Sequence, residues 1–399
     1  MVIVSTGAAG AQRVTTRQPS GDRQHRRSRS ATTTRLEPST RGSSRISGLT
    51  STLAVGEEPR FGSALGPPPW RPVWLCEAVD ELIERHIDTN GVRLRVLEAG
   101  DPDGPVVLLA HGFPELAYSW RHQIPALAAA GYRVLAPDQR GYGGSSIPAE
   151  VTAYDIHHLT ADLVGVLDEA GAERAVWIGH DWGAAVVWNA PLLHPDRVAA
   201  IAALSVPPTP RALQPPTAAW RAAFGEHFFY ILYFQEPGVA DAELSRDTSR
   251  TLRRMFGGLR TSSDAATNAR MIASSSEGFV DRLPEPGGLP DWLSQQEFDH
   301  YVDEFTRTGF TGGLNWYRNF DRNWETTEAL AGAKISVPCL FIGGTNDPVL
   351  AFMKADRADQ VISGPYRHVM LDGAGHWLQQ ERADAVNMAL LDFLAEQSW

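Results

Sequence analysis

Apolar and polar residues alternate along residues 91–99, as they do in a β-strand that exposes one of its faces. Farther along, apolar positions form unbroken runs, which are typical of strands buried on both faces of a sheet. These runs lie at 106–110, 133–136, 175–178, 198–204 and 338–342, with a shorter and more polar one at 366–371. Helical stretches occupy 153–170 and 383–396. The alternation predicts an α/β fold with a mostly parallel, doubly wound sheet flanked by helices.

This alternation of strands and helices stops between residues 207 and 322. Helical segments rich in Trp, Phe and Tyr take its place, and the sheet pattern resumes at residue 338. The interruption predicts a helical cap, residues 207–322, inserted into a core made of residues 76–206 and 323–399. We expect an apolar pocket for a small molecule between core and cap.

The first part of the chain has a different composition from the rest. Residues 1–60 contain ten arginines against four acidic residues, with many Ser, Thr and Gly and no periodic apolar positions. Such a composition predicts a disordered, Arg- and Ser-rich extension over residues 1–75. Three interpretations of this extension remain open: an organelle transit peptide, a nucleic-acid arm, or an upstream extension from a wrongly chosen start codon.

The net charge and the cysteine content limit the partners and the cellular compartment that we expect for this protein. The chain carries 36 basic and 47 acidic residues, a net charge of −11, which argues against nucleic acid as the main partner. It has no apolar run long enough for a membrane span. Two cysteines, Cys76 and Cys339, are too few for a disulfide framework and are not spaced as metal ligands. We therefore expect a cytoplasmic protein.

The segment after the third buried run carries the first candidate chemistry. It reads Gly-His-Asp-Trp-Gly at residues 179–183. Its glycine spacing and its position between a strand and a helix are those of a nucleophile elbow, in which the nucleophile occupies a strained turn. The central residue is Asp181 and not a serine. An aspartate that caps the following helix would give the same short pattern, so other segments must decide.

An oxyanion hole is expected beside this elbow. His-Gly-Phe-Pro at 111–114 follows the first buried run, where folds with such an elbow supply a second backbone donor. The N–H groups of Phe113 and Trp182 would together face the oxygen that gains charge during the reaction.

A histidine and an acid complete the arrangement. Asp347 lies just past the run at 338–342, and His376 follows the next strand. Residues 205–208, after the preceding run, contain no carboxylate, so Asp347 has no competitor there. The chain order of nucleophile, acid and histidine is the one that α/β-hydrolases use.

An aspartate nucleophile limits the range of reactions that such a site could catalyse. A carboxylate with a reference pKa of about 3.9 is ionised at neutral pH, so Asp181 can attack an electrophilic carbon without a base and form an ester. His376, oriented by Asp347, can then activate the water molecule that attacks the ester carbonyl. The substrate must carry a carbon open to displacement, as in a C–halogen bond or a strained C–O bond.

These motifs resemble those of the epoxide hydrolases of the α/β-hydrolase superfamily, particularly the hydrolase domain of the soluble epoxide hydrolases. The resemblance covers residues 86–396 and includes Gly-Tyr-Gly-Gly-Ser at 141–145. Two segments of the predicted cap also carry it. They are Tyr-Ile-Leu-Tyr-Phe-Gln-Glu-Pro-Gly at 230–238 and Leu-Asn-Trp-Tyr-Arg-Asn at 314–319.

The resemblance implies that Tyr230 and Tyr317 donate hydrogen bonds to the epoxide oxygen. Opening an epoxide releases an alkoxide, which is about as basic as hydroxide, and a phenol with a pKa of about 10 can protonate it. A halide leaving group needs no such acid. Tyr233 illustrates the opposite case, because a buried cap tyrosine can equally be a packing residue.

The resemblance further implies conversion of a small hydrophobic epoxide and water to a vicinal diol, without a metal or other cofactor. Aromatic residues are expected to line the pocket, although they could equally belong to the core: Trp182, Trp316, Phe234 and Trp377. The phosphatase domain of mammalian soluble epoxide hydrolases has no counterpart signature here, so bifunctionality is not implied. A homodimer is left open.

Two other functions compete with this one. Haloalkane dehalogenases share the aspartate elbow and the following tryptophan, here Trp182, which binds halide in that family. Their second halide donor is commonly an Asn at the position of Phe113, or a tryptophan of the cap, so the halide site is doubtful. A non-catalytic small-molecule receptor is the alternative from another class, and turnover of any epoxide would exclude it.

Overall fold

The apolar runs of the sequence become strands of one eight-stranded sheet. A computed structural model describes residues 82–259 and 265–397 of the chain, so the predicted extension at 1–75 and Cys76 lie outside the described residues. The strands are β1 (Leu82–Thr89), β2 (Val92–Ala99), β3 (Val106–Ala110), β4 (Arg133–Pro137), β5 (Ala175–His180), β6 (Val198–Leu204), β7 (Cys339–Gly344) and β8 (Tyr366–Leu371).

The sheet is mostly parallel, as predicted. Its strand order is β1-β2-β4-β3-β5-β6-β7-β8. The five pairs from β4 to β8 run parallel, whereas β2 pairs antiparallel with both β1 and β4. No apolar run predicts β1, because only Leu82 and Ile87 of its residues are buried at this edge of the sheet.

Helices cover the sheet and fill the long interval between β6 and β7. In chain order they are α1 (Gln123–Ala129), α2 (Ile156–Glu169), α3 (Trp182–Leu193), α4 (Pro216–Phe224), α5 (Tyr230–Tyr233), α6 (Val239–Arg246), α7 (Thr248–Gly258), α8 (Ala265–Ile272), α9 (Phe279–Arg282), α10 (Gln295–Thr308), α11 (Thr311–Tyr317), α12 (Phe320–Thr326), α13 (Ala358–Val361), α14 (Leu378–Glu381) and α15 (Ala383–Ala395).

Successive residues of the central strands pack on opposite faces of the sheet, which explains the unbroken apolar runs. In β3, Leu108 belongs to the buried cluster shared with α2 and α3, while Leu109 belongs to the cluster shared with α1 and α15. Every position of such a strand is therefore buried, and a polar residue at any of them would lose water without a partner.

Helices α4 to α12, which we call the helical insertion, interrupt the strands where the sequence pattern stops. Helix α10 illustrates why these segments fold as helices. Ser294 and Glu297 form a capping box at its start, and Phe298, Tyr301 and Phe305 are buried at helical spacing along one face. The exact division into a cap at 207–322 and a core at 76–206 and 323–399 stays a prediction.

The part of the chain that the structure describes contains no helix that could span a membrane. None of its helices combines the length and the apolar character that crossing a bilayer requires.

Glycines let helix α3 start against the ends of two strands. A Cβ on Gly183 would lie 1.9 Å from the carbonyl oxygen of Ala110, the last residue of β3. A Cβ on Gly179, in β5, would lie 2.2 Å from the carbonyl oxygen of Gly183. Any side chain at either position would push the helix away from the sheet, so this close packing determines where the turn between β5 and α3 lies.

We predict that Gly183→Ala lowers the free energy of unfolding by about 1–3 kcal/mol, because the added methyl group overlaps backbone atoms that cannot move aside. Urea denaturation of the two proteins measures the difference. Gly287→Ala is the control, since nothing lies within 4 Å of a Cβ at that exposed position. The control should change stability by less than about 0.5 kcal/mol. Equal midpoints for all three proteins would contradict the packing argument.

Candidate active site

Asp181 occupies the sharp turn between β5 and α3. Its φ is +51° and its ψ is −116°, a conformation that costs free energy for a residue with a Cβ. Its side chain makes no capping hydrogen bond to α3, so the alternative of a helix-capping aspartate is wrong. Gly112 leaves room for it, because a Cβ there would lie 2.4 Å from the Cβ of Asp181.

The two oxygens of the Asp181 carboxylate have different neighbours. Oδ1 accepts a hydrogen bond from the backbone N–H of Phe113 at 2.9 Å. Oδ2 lies 3.6 Å from Nε2 of His376, and 13% of the Asp181 side chain remains exposed. One oxygen thus meets a predicted oxyanion donor and the other faces the histidine. The matching role of the Trp182 backbone N–H stays a prediction.

The surroundings of Asp181 favour its ionised form. Burial alone would raise the pKa of this carboxyl, because it removes water from the charged form. The hydrogen bond and positive charge of His376, the charge of His180 and the N–H of Phe113 act in the opposite direction and hold the pKa below its usual value. A carboxylate that stays ionised is what a nucleophile without a base requires.

His376 and Asp347 lie next to each other on the loops that follow β8 and β7. Nδ1 of His376 lies 3.2 Å from Oδ1 and 3.3 Å from Oδ2 of Asp347. Asp347 is anchored because its Oδ1 also accepts the backbone N–H of Val349 at 2.9 Å. The structure therefore brings Asp181, His376 and Asp347 together in the arrangement of a catalytic triad, with the histidine in the middle.

His376 is surrounded by negative charge. Burial by itself would lower its pKa, but the charges of Asp347 and Asp181 and their hydrogen bonds outweigh burial and raise the pKa well above its usual value. The imidazole is thus protonated while Asp181 is a free carboxylate. Loss of the negative charge on Asp181 removes part of the cause, so the pKa of His376 must then fall.

Ser205 is a neighbour of the triad that the sequence analysis missed. It directly follows β6, its Oγ donates to Oδ2 of Asp347 at 2.5 Å, and the same Oγ lies 2.9 Å from Nδ1 of His376. Residues 205–208 were considered only as a source of a carboxylate. A hydroxyl at the end of a strand is too common to be a signal without knowledge of what lies across the sheet.

A second pair of buried ionisable side chains, Glu115 and His180, lies beside the triad. Nδ1 of His180 is 2.6 Å from Oε2 of Glu115, and Nε2 of His180 donates to the backbone carbonyl of His376 at 2.8 Å. Burial opposes the charge on Glu115, but the charge and hydrogen bond of His180 outweigh it and lower the pKa of Glu115. The pair ties the loop after β3, the elbow and the histidine loop together. His180 lies in the elbow motif and Glu115 directly follows the motif at 111–114, yet neither had a predicted role.

Tyr230 and Tyr317 come from separate helices of the insertion, and their rings lie close to each other. Tyr230 begins α5 and Tyr317 ends α11, and their ring centroids are 6.1 Å apart. The ring of Tyr317 also packs edge-on against Phe113 at 5.5 Å and Trp182 at 5.1 Å. Burial and then the charge of Asp181 raise the pKa of both phenols, so both hydroxyl groups stay protonated and can donate.

The four aromatic residues expected to line a pocket have two kinds of surroundings. The rings of Trp182 and Phe234 each pack against Tyr317, with centroids 5.1 Å from it. Trp316 and Trp377 are fully buried, and their indole N–H groups donate to backbone carbonyls. Burial does not separate the two pairs, because Phe234 is also fully buried and Trp377 packs against His376 with ring centroids 4.6 Å apart. The roles of all four residues as pocket walls stay predictions.

Comparison with known proteins gives consistent matches. A family model described as alpha/beta hydrolase fold matches residues 105–383. Epoxide hydrolase A of Mycobacterium tuberculosis (strain ATCC 25618 / H37Rv) is 74% identical over 311 residues, which cover 78% of this chain and 97% of that protein. Bifunctional epoxide hydrolase 2 of Rattus norvegicus is 41% identical over 308 residues, which cover 76% of this chain and 54% of that protein.

A solved structure extends the similarity to three dimensions. The crystal structure of Epoxide Hydrolase A from Mycobacterium thermoresistibile superimposes with a TM-score of 0.78 at 66% identity, covering 80% of this chain and 99% of that one. Similarity of this degree over nearly the full length of the two mycobacterial proteins, together with the matching family model, shows that this chain belongs to the epoxide hydrolases of the α/β-hydrolase fold.

Proposed function

We propose that this epoxide hydrolase converts a small hydrophobic epoxide to a vicinal diol through an ester on Asp181. The observation that carries the proposal is the position of His376, with Nε2 3.6 Å from Oδ2 of Asp181 and Nδ1 facing Asp347. A base in that place is close enough to act on a water molecule beside an ester of Asp181. It needs no metal or other cofactor for this step.

In the first step, Oδ2 of Asp181 attacks the less hindered carbon of the epoxide. A bond forms between Oδ2 and that carbon while the C–O bond of the ring breaks, and the released oxygen takes a proton from Tyr230 or Tyr317. Both phenols are protonated and lie near the carboxylate, which supports this role. Oδ1, which accepts the N–H of Phe113, is left as the carbonyl oxygen of the ester.

In the second step, His376 takes a proton from water, and the hydroxide adds to the carbonyl carbon of Asp181. Negative charge develops on Oδ1, where the N–H of Phe113 stabilises it, and we propose the N–H of Trp182 as the second donor. The tetrahedral intermediate then expels the diol oxygen, which receives its proton from the imidazolium. The proton left on the new carboxyl oxygen of Asp181 returns to the tyrosine that gave one up in the first step, so both the carboxylate and the phenol are restored. Asp347 stabilises the imidazolium in between.

Paired tyrosines favour an epoxide over a haloalkane, because an alkoxide must be protonated and a halide need not be. We propose that a cap, residues 207–322, carries both tyrosines over a core of 76–206 and 323–399. We also propose that Trp182, Phe234, Trp316 and Trp377 shape the pocket. The ring contacts of Trp182 and Phe234 with Tyr317 support their part in it.

A cytoplasmic location is proposed on the cysteine content, since Cys339 is a buried free thiol and the chain has only one other cysteine. A homodimer, which the sequence left open, stays a prediction.

Replacement of the histidine should stop the reaction at the ester. In His376→Gln, Asp181 is still expected to attack the epoxide, but no base activates water, so an adduct of protein plus substrate accumulates. Intact-protein mass spectrometry after incubation with a styrene-oxide-type aryl epoxide measures it. Asp181→Asn/His376→Gln is the control and should keep its unmodified mass. An unmodified His376→Gln protein would count against the ester mechanism.

Loss of both phenolic hydroxyls should abolish diol formation. Tyr230→Phe/Tyr317→Phe is expected to reduce turnover of the aryl epoxide by about 10²- to 10⁴-fold, the range for removal of a general acid. Tyr233→Phe is the matched control, since it lies on the same short helix and packs against Phe228. Release of halide from a 1-haloalkane with no effect of the double substitution would instead identify a dehalogenase.

The two steps should respond differently to pH. Asp181 has a lowered pKa, so ester formation should continue under mildly acidic conditions. The base in the second step must be neutral His376, which is protonated below its pKa, so ester hydrolysis should slow as pH falls through that value. Rapid-quench measurement of both steps from about pH 5 to about pH 9 would separate them. A common pH dependence of both steps would contradict this assignment.

A further inference from the structure

Ser205 has an unusual backbone conformation at the end of β6. Its φ is +71°, in the left-handed region that residues other than glycine rarely adopt, and it is fully buried. Its backbone N–H donates to the carbonyl of Ile342 in β7 at 2.9 Å. The carbonyl of the next residue, Val206, accepts the indole N–H of Trp188 at 3.0 Å. Contacts on both sides therefore hold the strained residue in place.

The hydroxyl of Ser205 lies between the histidine and the acid of the triad. Oγ is 2.9 Å from Nδ1 of His376 and 2.5 Å from Oδ2 of Asp347. The direct distances from Nδ1 to the two carboxylate oxygens are 3.2 and 3.3 Å, both longer. The shortest hydrogen-bonded connection between the two residues thus runs through Ser205.

The hydrogen-bonding capacity of a hydroxyl determines the direction of this connection. A serine has one proton to donate, and a carboxylate only accepts, so the proton of Ser205 is committed to Asp347. Toward His376 the same oxygen can therefore only accept. Nδ1 of His376 must then carry a proton, which leaves Nε2 as the unprotonated nitrogen of the neutral imidazole, on the side of Asp181.

We propose that Ser205 is a positioning residue that holds His376 in the tautomer and orientation needed to activate water. This inference rests on the proposed two-step mechanism, and it concerns the second step alone. Ester formation uses the carboxylate of Asp181 and the two phenols, none of which Ser205 contacts through its hydroxyl. The hydroxyl bridge therefore accelerates hydrolysis of the ester and has little effect on its formation.

The test compares the two half-reactions in Ser205→Gly. Glycine removes the hydroxyl and also tolerates the positive φ, so the substitution does not add backbone strain. We expect rapid-quench measurements to show ester hydrolysis slowed by about 10- to 100-fold, the usual effect of losing a group that orients an imidazole ligand or base. Ester formation should stay within about 2-fold of the original rate, so the ester accumulates during turnover.

Ser205→Ala separates the hydroxyl from the backbone. It lacks the same hydroxyl but keeps a Cβ at the strained position, so it should show the same slow hydrolysis and a lower stability than Ser205→Gly. A defect confined to Ser205→Ala would overturn the proposal, because strain and not the hydroxyl would then be the cause. Unchanged hydrolysis in both variants, or an equal loss of both half-reactions, would overturn it as well.

Ser119→Ala is the matched control. Ser119 is another fully buried serine, and its hydroxyl lies 2.8 Å from the hydroxyl of Tyr301, which is not a triad residue. Its loss should lower stability without changing the ratio of the two half-reaction rates. The His376→Gln adduct on Asp181 tests the underlying mechanism separately. If that adduct forms and Ser205→Gly hydrolyses its ester normally, only the positioning role fails.

Discussion

The buried negative charge of Asp181 is the constraint on which the rest of the site depends. Removing a carboxylate from water costs several kcal/mol unless hydrogen bonds and an opposite charge replace the water. Here the N–H of Phe113 holds one oxygen and His376 faces the other. His376 in turn needs a negative partner to remain charged in the same buried place, and Asp347 supplies it. Each buried charge thus has a partner of opposite sign: Asp181 faces His376, and His376 faces Asp347.

Parallel pairing of the strands brings these groups to one edge. Strands β5, β6, β7 and β8 are consecutive neighbours in the sheet, and each ends in one member of the site. Asp181 follows β5, Ser205 follows β6, Asp347 follows β7 and His376 follows β8. Because the carboxyl ends of parallel strands lie at the same edge, side chains far apart in sequence meet there without a long loop. The Glu115–His180 pair, buried beneath them, then ties three of the loops together.

The helical insertion contributes two protonated phenols, Tyr230 and Tyr317, whose ring centroids are 6.1 Å apart. Tyr230 and Tyr317 are far apart in the chain, but the two segments are joined because Gln235, 82 positions before Tyr317, donates to its backbone carbonyl at 2.9 Å. Burial and the charge of Asp181 both favour the protonated phenol. The same negative charge on Asp181 thus keeps both phenols protonated, which is the form that the proposed mechanism requires.

The sequence by itself determined the strands from β2 to β8 and indicated Asp181, Asp347 and His376 as the candidates for a triad. Strands buried on both faces need apolar residues at every position, and a tight elbow needs glycines at 179 and 183, so both leave a readable pattern. The tyrosine pair was named from family resemblance, not from periodicity. Only the tertiary structure decided that Ser205 bridges His376 and Asp347, and that the indole N–H of Trp316 donates to the backbone carbonyl of Arg140. A hydroxyl or an indole has the same chemistry wherever it lies, and its role follows from distances to residues more than a hundred positions away, which local sequence does not encode.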